Sequence, residues 1–156
     1  MAKKTNHSKT LPIYILNGPN LNLLGEREPE VYGYTTLAQI GKMCAAQAAQ
    51  YGLATVFHQS NREGEIVDQI QEARTSGSAV IINPAGYGHT SVAILDSILA
   101  CTIPVIEVHL SNIHRRDPFR NHSYVSKGAT GIIMGLGAQG YLRAIDAIAE
   151  ILKVKK

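Results

Sequence analysis

The chain has no tryptophan and only two phenylalanines among its 156 residues. An aromatic core is therefore excluded, and the interior has to be built from the Ile, Val, Leu and Ala of the central segments. Cysteine is equally scarce. Cys44 and Cys101 lie far apart in apolar, helix-like segments, whereas zinc sites use closely spaced Cys or His pairs, so both are expected to be buried thiols. The histidines His58, His114 and His122 show no ligand spacing either, and neither a metal nor a cofactor is expected. No apolar run approaches the roughly 18 residues of a membrane span, and MAKKTNHSKT at the start lacks the apolar stretch of a signal peptide. A cytoplasmic protein without membrane contact is expected. The net charge is only +3, with Lys3, Lys4, Lys9, Lys153, Lys155 and Lys156 in the tails, which leaves no basic face for nucleic acid.

What is present is a regular alternation. A hydrophobic content of 45% suits one domain with a real core, expected over 11–152 between a flexible tail, 1–10, and a basic tail, 153–156. Five apolar runs, 12–17, 53–58, 78–82, 104–108 and 129–134, have the continuous character of strands covered on both faces. Helical stripes intervene: Leu37, Ile40, Cys44, Ala48 and Tyr51; Ile66, Ile70 and Ala73; Val92, Leu95 and Leu99; Leu142, Ile145, Ala149 and Leu152. The pattern predicts an α/β, flavodoxin-like three-layer fold with a five-stranded parallel sheet of order 2-1-3-4-5. The fourth crossover, His109 to about Lys127, is mostly polar and reads as a functional loop with at most a short helix.

In such a sheet ligands bind beyond the carboxyl ends of the strands. Asn17, Gly18 and Asn20 follow the first strand; Gln59, Ser60 and Asn61 the second; Asn83, Gly86 and His89 the third; His109, Ser111 and Asn112 the fourth. These groups converge on one rim. The stretch GPNLNLLGEREPEVYG, Gly18 to Gly33, has no apolar period and reads as a long binding loop or lid carrying Asn20, Arg27 and Tyr32. A guanidinium beside a phenol favours the phenolate, because an opposite charge stabilises an ionised group, which makes Tyr32 a candidate base. Glu107 and His109, two apart, share one face of a strand end, where a carboxylate can orient an imidazole for proton donation. Leu110-Ser111-Asn112 can turn successive amides toward an anion, with Arg120 further along the loop. In NPAGYGHTS, Asn83 and His89 present donors to the rim and Ser91 or Thr90 caps the next helix.

Two other patterns are set aside. Gly135-Leu-Gly137-Ala-Gln-Gly140 has the letters of a dinucleotide fingerprint, but no strand follows it and no acidic residue stands about 20 positions later, so a packing turn is expected. Ser111 lacks the glycine-flanked elbow of a serine nucleophile.

Together the segments GPNLNLLGEREPEVYG, NPAGYGHTSVAILD, IEVHLSN and FRNHSYVS, followed by GLGAQGYL, resemble type II 3-dehydroquinate dehydratase over about residues 11–150. The resemblance implies a flavodoxin-like subunit, assembled as a dodecamer of trimers, that removes water from 3-dehydroquinate to give 3-dehydroshikimate by anti elimination through an enolate, in the shikimate or quinate pathway. It implies Tyr32 as the base at C2, Arg27 as its activating cation, Asn20 as holder of a water against the enolate oxygen, His109 as general acid and Glu107 as its orienting partner. Asn83, His89, the amides of Leu110 and Ser111, and Arg120 match the substrate-binding positions, and Asp96 matches a residue that reaches a neighbouring subunit's site. The family uses neither metal nor Schiff base. The chain departs from its pattern at Gly88, where Thr is commoner, and at Leu95, where Arg is. Rival readings are a lyase or isomerase acting on a phosphorylated keto sugar, whose phosphate would want a lysine these loops do not offer, and a noncatalytic FMN or signalling module, which leaves the gathered tyrosine, arginine and histidine unexplained.

Overall fold

The computed structural model describes residues 10–154 and 156. The tail expected over 1–10 lies, except for Thr10, outside the described residues, as does Lys155 of the basic tail.

Five strands, β1 (Ile13–Asn17), β2 (Thr55–Gln59), β3 (Ala79–Asn83), β4 (Val105–His109) and β5 (Gly131–Met134), form one sheet of order β2-β1-β3-β4-β5. All pairings are parallel. The topology is the one the alternation predicts. β2, β3 and β4 end one residue later than their hydrophobic runs, because they extend their backbone pairing to the polar residues Gln59, Asn83 and His109. This extension plants functional side chains on the sheet rather than on loops.

The alternation of side chains along each strand divides the core. Ile13, Ile15, Ala79, Ile81, Ile106 and Val108 face one layer, made by α2 (Leu37–Ala49) and α5 (Gln139–Ile151). Tyr14, Leu16, Val80, Ile82 and Val105 face the other, made by α3 (Glu63–Ser76) and α4 (Val92–Leu99). Only β1, β3 and β4 are fully buried; β2 is half-buried throughout and Ile132 of β5 is exposed. The expectation of two-sided cover for all five strands is corrected at these edges, where each strand has a neighbour on one side only.

Local side-chain caps start two of the helices, one of them expected from the sequence. Thr36 and Gln39 close a capping box on α2, with Gln39 N–H donating to Thr36 Oγ1 at 3.2 Å and Thr36 N–H to Gln39 Oε1 at 2.8 Å; such a cap stabilises by about 1 kcal/mol. Ser91, rather than Thr90, caps α4 by accepting from Ile94 N–H at 2.9 Å. The stripe expected for α4 is corrected. Ile94 and Ile98 meet the sheet, while Val92 and Leu99 are exposed at 52% and 61% and Leu95 is half-buried. The helix is apolar on both faces, and periodicity alone does not say which one the sheet receives.

Cys44 is buried on α2, but Cys101 lies beyond the end of α4 and is half-buried. The glycines after β5 form the packing turn expected of them: Gly135 and Gly137 adopt φ of +86° and +58°, and a Cβ on Gly140 would come within 3.3 Å of Val108 Cγ1.

Candidate active site

The loops at the carboxyl ends of β1, β3 and β4 enclose a cavity of about 560 Å³. Asn20, Arg27, Tyr32, Asn83, His89, His109, Leu110, Ser111 and Arg120 all line it. These are nine of the eleven residues singled out in the sequence; Glu107 stands behind the wall, and Asp96 is exposed on α4 and does not line this cavity.

The loop from Gly18 to Gly33 carries more local structure than its lack of period suggests. It holds a 3-10 turn, Leu21–Leu23, and one helical turn, α1 (Pro29–Tyr32). Leu21 and Leu24 anchor it in the core. Asn20 and Glu28 enter these turns at φ of +67° and +43°, and Ala85 in the loop after β3 has φ of +50°. Non-glycine residues held in the left-handed region gather at sites whose geometry is imposed by the surrounding fold, and all three flank or line this cavity.

Tyr32 is placed by α1 so that its hydroxyl accepts a hydrogen bond from Arg116 Nη1 at 2.6 Å, with the guanidinium carbon 5.5 Å from the ring centroid. The cation on the phenol is thus Arg116, and the expected contact of Arg27 with Tyr32 is corrected. Arg27 lines the same cavity but pairs with Glu28 at 3.2 Å, both groups near solvent. Arg116 was not singled out in the sequence, and no spacing rule ties it to a tyrosine on a different loop.

His109 closes the opposite chemistry. Its Nε2 lies 2.6 Å from Glu107 Oε1, and Glu107 is fully buried. Because the carboxylate takes up Nε2, the ring nitrogen left for a ligand is Nδ1. Burial pushes the Glu107 carboxyl up, but hydrogen bonds led by that from His109, together with the charge of His109, outweigh it and hold the group below the ordinary carboxylate range. The Ser126 hydroxyl donates to Glu107 Oε2. The carboxylate is therefore ionised in a buried site, where it fixes the orientation of the His109 ring.

The next residues line the cavity with backbone amides. The carbonyls of His109 and Leu110 accept from Gly135 N–H at 3.2 Å and Gly137 N–H at 2.9 Å. In a trans peptide C=O and N–H point oppositely, so the amides of Leu110 and Ser111 are turned away from that glycine turn. Arg120, in the 3-10 turn Pro118–Arg120, adds a guanidinium.

His89 and His122 clasp the β3 and β4 loops together. His89 Nδ1–H donates to the His122 carbonyl at 2.7 Å, and His122 Nε2–H donates to the His89 carbonyl at 3.0 Å. A carbonyl only accepts, so His89 keeps its proton on Nδ1 and has Nε2 left for a ligand. Burial is the main cause that lowers the His89 pKa, which favours the neutral ring. His122 also lines the cavity; from the sequence it had no assignable partner.

No group of three His, Cys, Asp or Glu among the described residues could hold a metal ion. No lysine among the described residues lines the cavity.

Fold and site define a flavodoxin-like α/β protein whose sheet end gathers an arginine-bound tyrosine, a carboxylate-bound histidine and an amide wall. The sequence pattern of the class II dehydroquinases matches residues 11–149, and the chain belongs to that family. It is 56% identical over 141 residues to a 3-dehydroquinate dehydratase of Streptomyces coelicolor, covering 90% of each chain. It is 57% identical over 141 residues to a 3-dehydroquinate dehydratase of a Caulobacter species, covering 90% of this chain and 96% of that one. The crystal structure of a type II dehydroquinase from Propionibacterium acnes superposes with a TM-score of 0.87 at 40% identity, over 90% of this chain and 97% of that chain.

Proposed function

We propose that this chain dehydrates 3-dehydroquinate to 3-dehydroshikimate, as part of the shikimate or quinate pathway, by anti elimination through an enolate. One observation carries the reading: a tyrosine hydroxyl held by a guanidinium and an imidazole held by a buried carboxylate line the same cavity. The first suits proton abstraction and the second proton donation.

The Tyr32 phenolate, stabilised by Arg116, removes the C2 proton. Charge moves onto the carbonyl oxygen, where Arg27 and a water held by Asn20 stabilise the enolate. His109 then gives its proton to the C1 hydroxyl, which leaves as water, and Glu107 keeps the imidazole oriented through the transfer. The substrate carboxylate is bound by the Leu110 and Ser111 amides, while Asn83, His89 and Arg120 hold the remaining oxygens. The route needs no imine, and among the described residues no lysine lines the cavity, which supports that; it proceeds without metal or cofactor. No helix among the described residues is long and apolar enough to cross a membrane, which agrees with a cytoplasmic enzyme. The working form is a homo-oligomer, a dodecamer of trimers, in which Asp96 of each subunit completes a neighbour's site.

The test is an ultraviolet assay for the conjugated enone formed from 3-dehydroquinate. Product formation that survives a chelator, and a protein mass unchanged by borohydride added during turnover, are the expected results. An adduct of substrate mass on a lysine would overturn the mechanism.

A further inference from the structure

Beneath the cavity three polar side chains, Asn17, Asn83 and Tyr141, are 0%, 3% and 0% exposed. Asn17 and Asn83 end the adjacent strands β1 and β3 and are direct partners in the sheet, and Tyr141 lies in the first turn of α5. They are joined in one direction. The Ala85 backbone N–H only donates, so the Asn83 atom 3.2 Å from it is the oxygen. The Asn83 nitrogen therefore faces the Tyr141 hydroxyl, at 3.0 Å, and donates to it. That hydroxyl donates in turn to Asn17 Oδ1 at 2.7 Å, and Asn17 Nδ2 donates to the His58 carbonyl at 2.9 Å. Both ends of the relay are backbone groups of fixed polarity, so neither amide turns over without breaking a bond. Burial pushes the Tyr141 phenol up, which keeps it a neutral link.

We propose that Tyr141 is a positioning residue: through this relay it fixes the Asn83 amide so that its remaining N–H is offered to the ligand, selecting an acceptor oxygen at that point of the cavity. The inference rests on the proposed substrate, whose hydroxyl oxygens, the ones left to Asn83, His89 and Arg120, can accept. Tyr141→Phe keeps the ring's packing but leaves Asn83 Nδ2 and Asn17 Oδ1 without their partner, so the Asn83 amide is held by the Ala85 N–H alone.

Steady-state kinetics with 3-dehydroquinate test this. Tyr141→Phe is expected to raise KM about tenfold while kcat stays within about threefold, the effect of one neutral hydrogen bond used in binding. In an Asn83→Ala background the same change is expected to move KM by less than about twofold, because the amide through which it acts is gone. An unchanged KM in the single variant, or an equal change in both backgrounds, overturns the proposal. Should Tyr141→Phe not fold, Asn17→Ala removes the phenol's acceptor and is expected to raise KM likewise; an unchanged KM there overturns it as well. Wild-type turnover in the same assay separates these results from a failure of the substrate assignment.

Discussion

Arg116 and Tyr32, 84 positions apart in the chain, are joined by a hydrogen bond of 2.6 Å between guanidinium and phenol. In the proposed mechanism that bond makes the base. Tyr32→Phe is expected to lower kcat by about 10²- to 10⁴-fold, the usual contribution of a general base, with binding of a substrate analogue nearly unchanged. A phenylalanine variant turning over at the wild-type rate would remove tyrosine from the chemistry.

The two loop arginines are expected to separate kinetically. Arg116→Ala removes the guanidinium that holds the Tyr32 hydroxyl and should mainly lower kcat. Arg120→Ala removes an anion clamp and should mainly raise KM. Matching kinetic signatures in the two variants would show the division to be mistaken.

Glu107 links the site to acid stability. Its folded pKa lies below its ordinary value of 4.5, so its ionised form stabilises the fold fully above that value, and the contribution is lost as pH falls through the lower folded value. Glu107→Gln is expected to flatten the fall in melting temperature between about pH 5 and pH 3 and to lower kcat by at least about tenfold. Thermal melts across that range decide it; an acid limb as steep as the wild type's would mean that Glu107 is not the group responsible.

The α4 face that the sheet does not receive, Val92 and Leu99, lies beside exposed Asp96. If Asp96 completes a neighbour's site across that face, activity should disappear on dilution to monomer before the fold melts. Sedimentation with parallel assays measures both, and a fully active monomer would refute the shared site.

Cys44 is buried and its thiol is pushed up to about 12 by that burial. In a Cys101→Ser background a maleimide at neutral pH should label the protein only after unfolding. Rapid labelling of the native protein would show that the layer between α2 and the sheet opens.

Much of this molecule is legible in one dimension. Apolar runs separated by helical stripes impose parallel crossovers, and the right-handedness of those crossovers leaves few orders for five strands. Polar residues that end these runs must then share one rim, which is why Asn83 and His109 could be placed there from the sequence, whereas Tyr32 stood out as part of a long loop without apolar period. The same signal is silent where two faces are equally apolar, as on α4, or where a strand lies at an edge, as β2 and β5 do. Periodicity records that a face is apolar, not what covers it.

Sequence alone determined the layered fold, the rim and the residue types needed for proton transfer, because each follows from local pattern and chain connectivity. Tertiary structure alone decided that Arg116 rather than Arg27 holds Tyr32, that His122 clasps His89, and that Tyr141 on α5 sets the Asn83 amide. Those contacts join loops and helices brought together only by packing, and a hydrogen bond depends on distance and direction in space, for which separation along the chain carries no information.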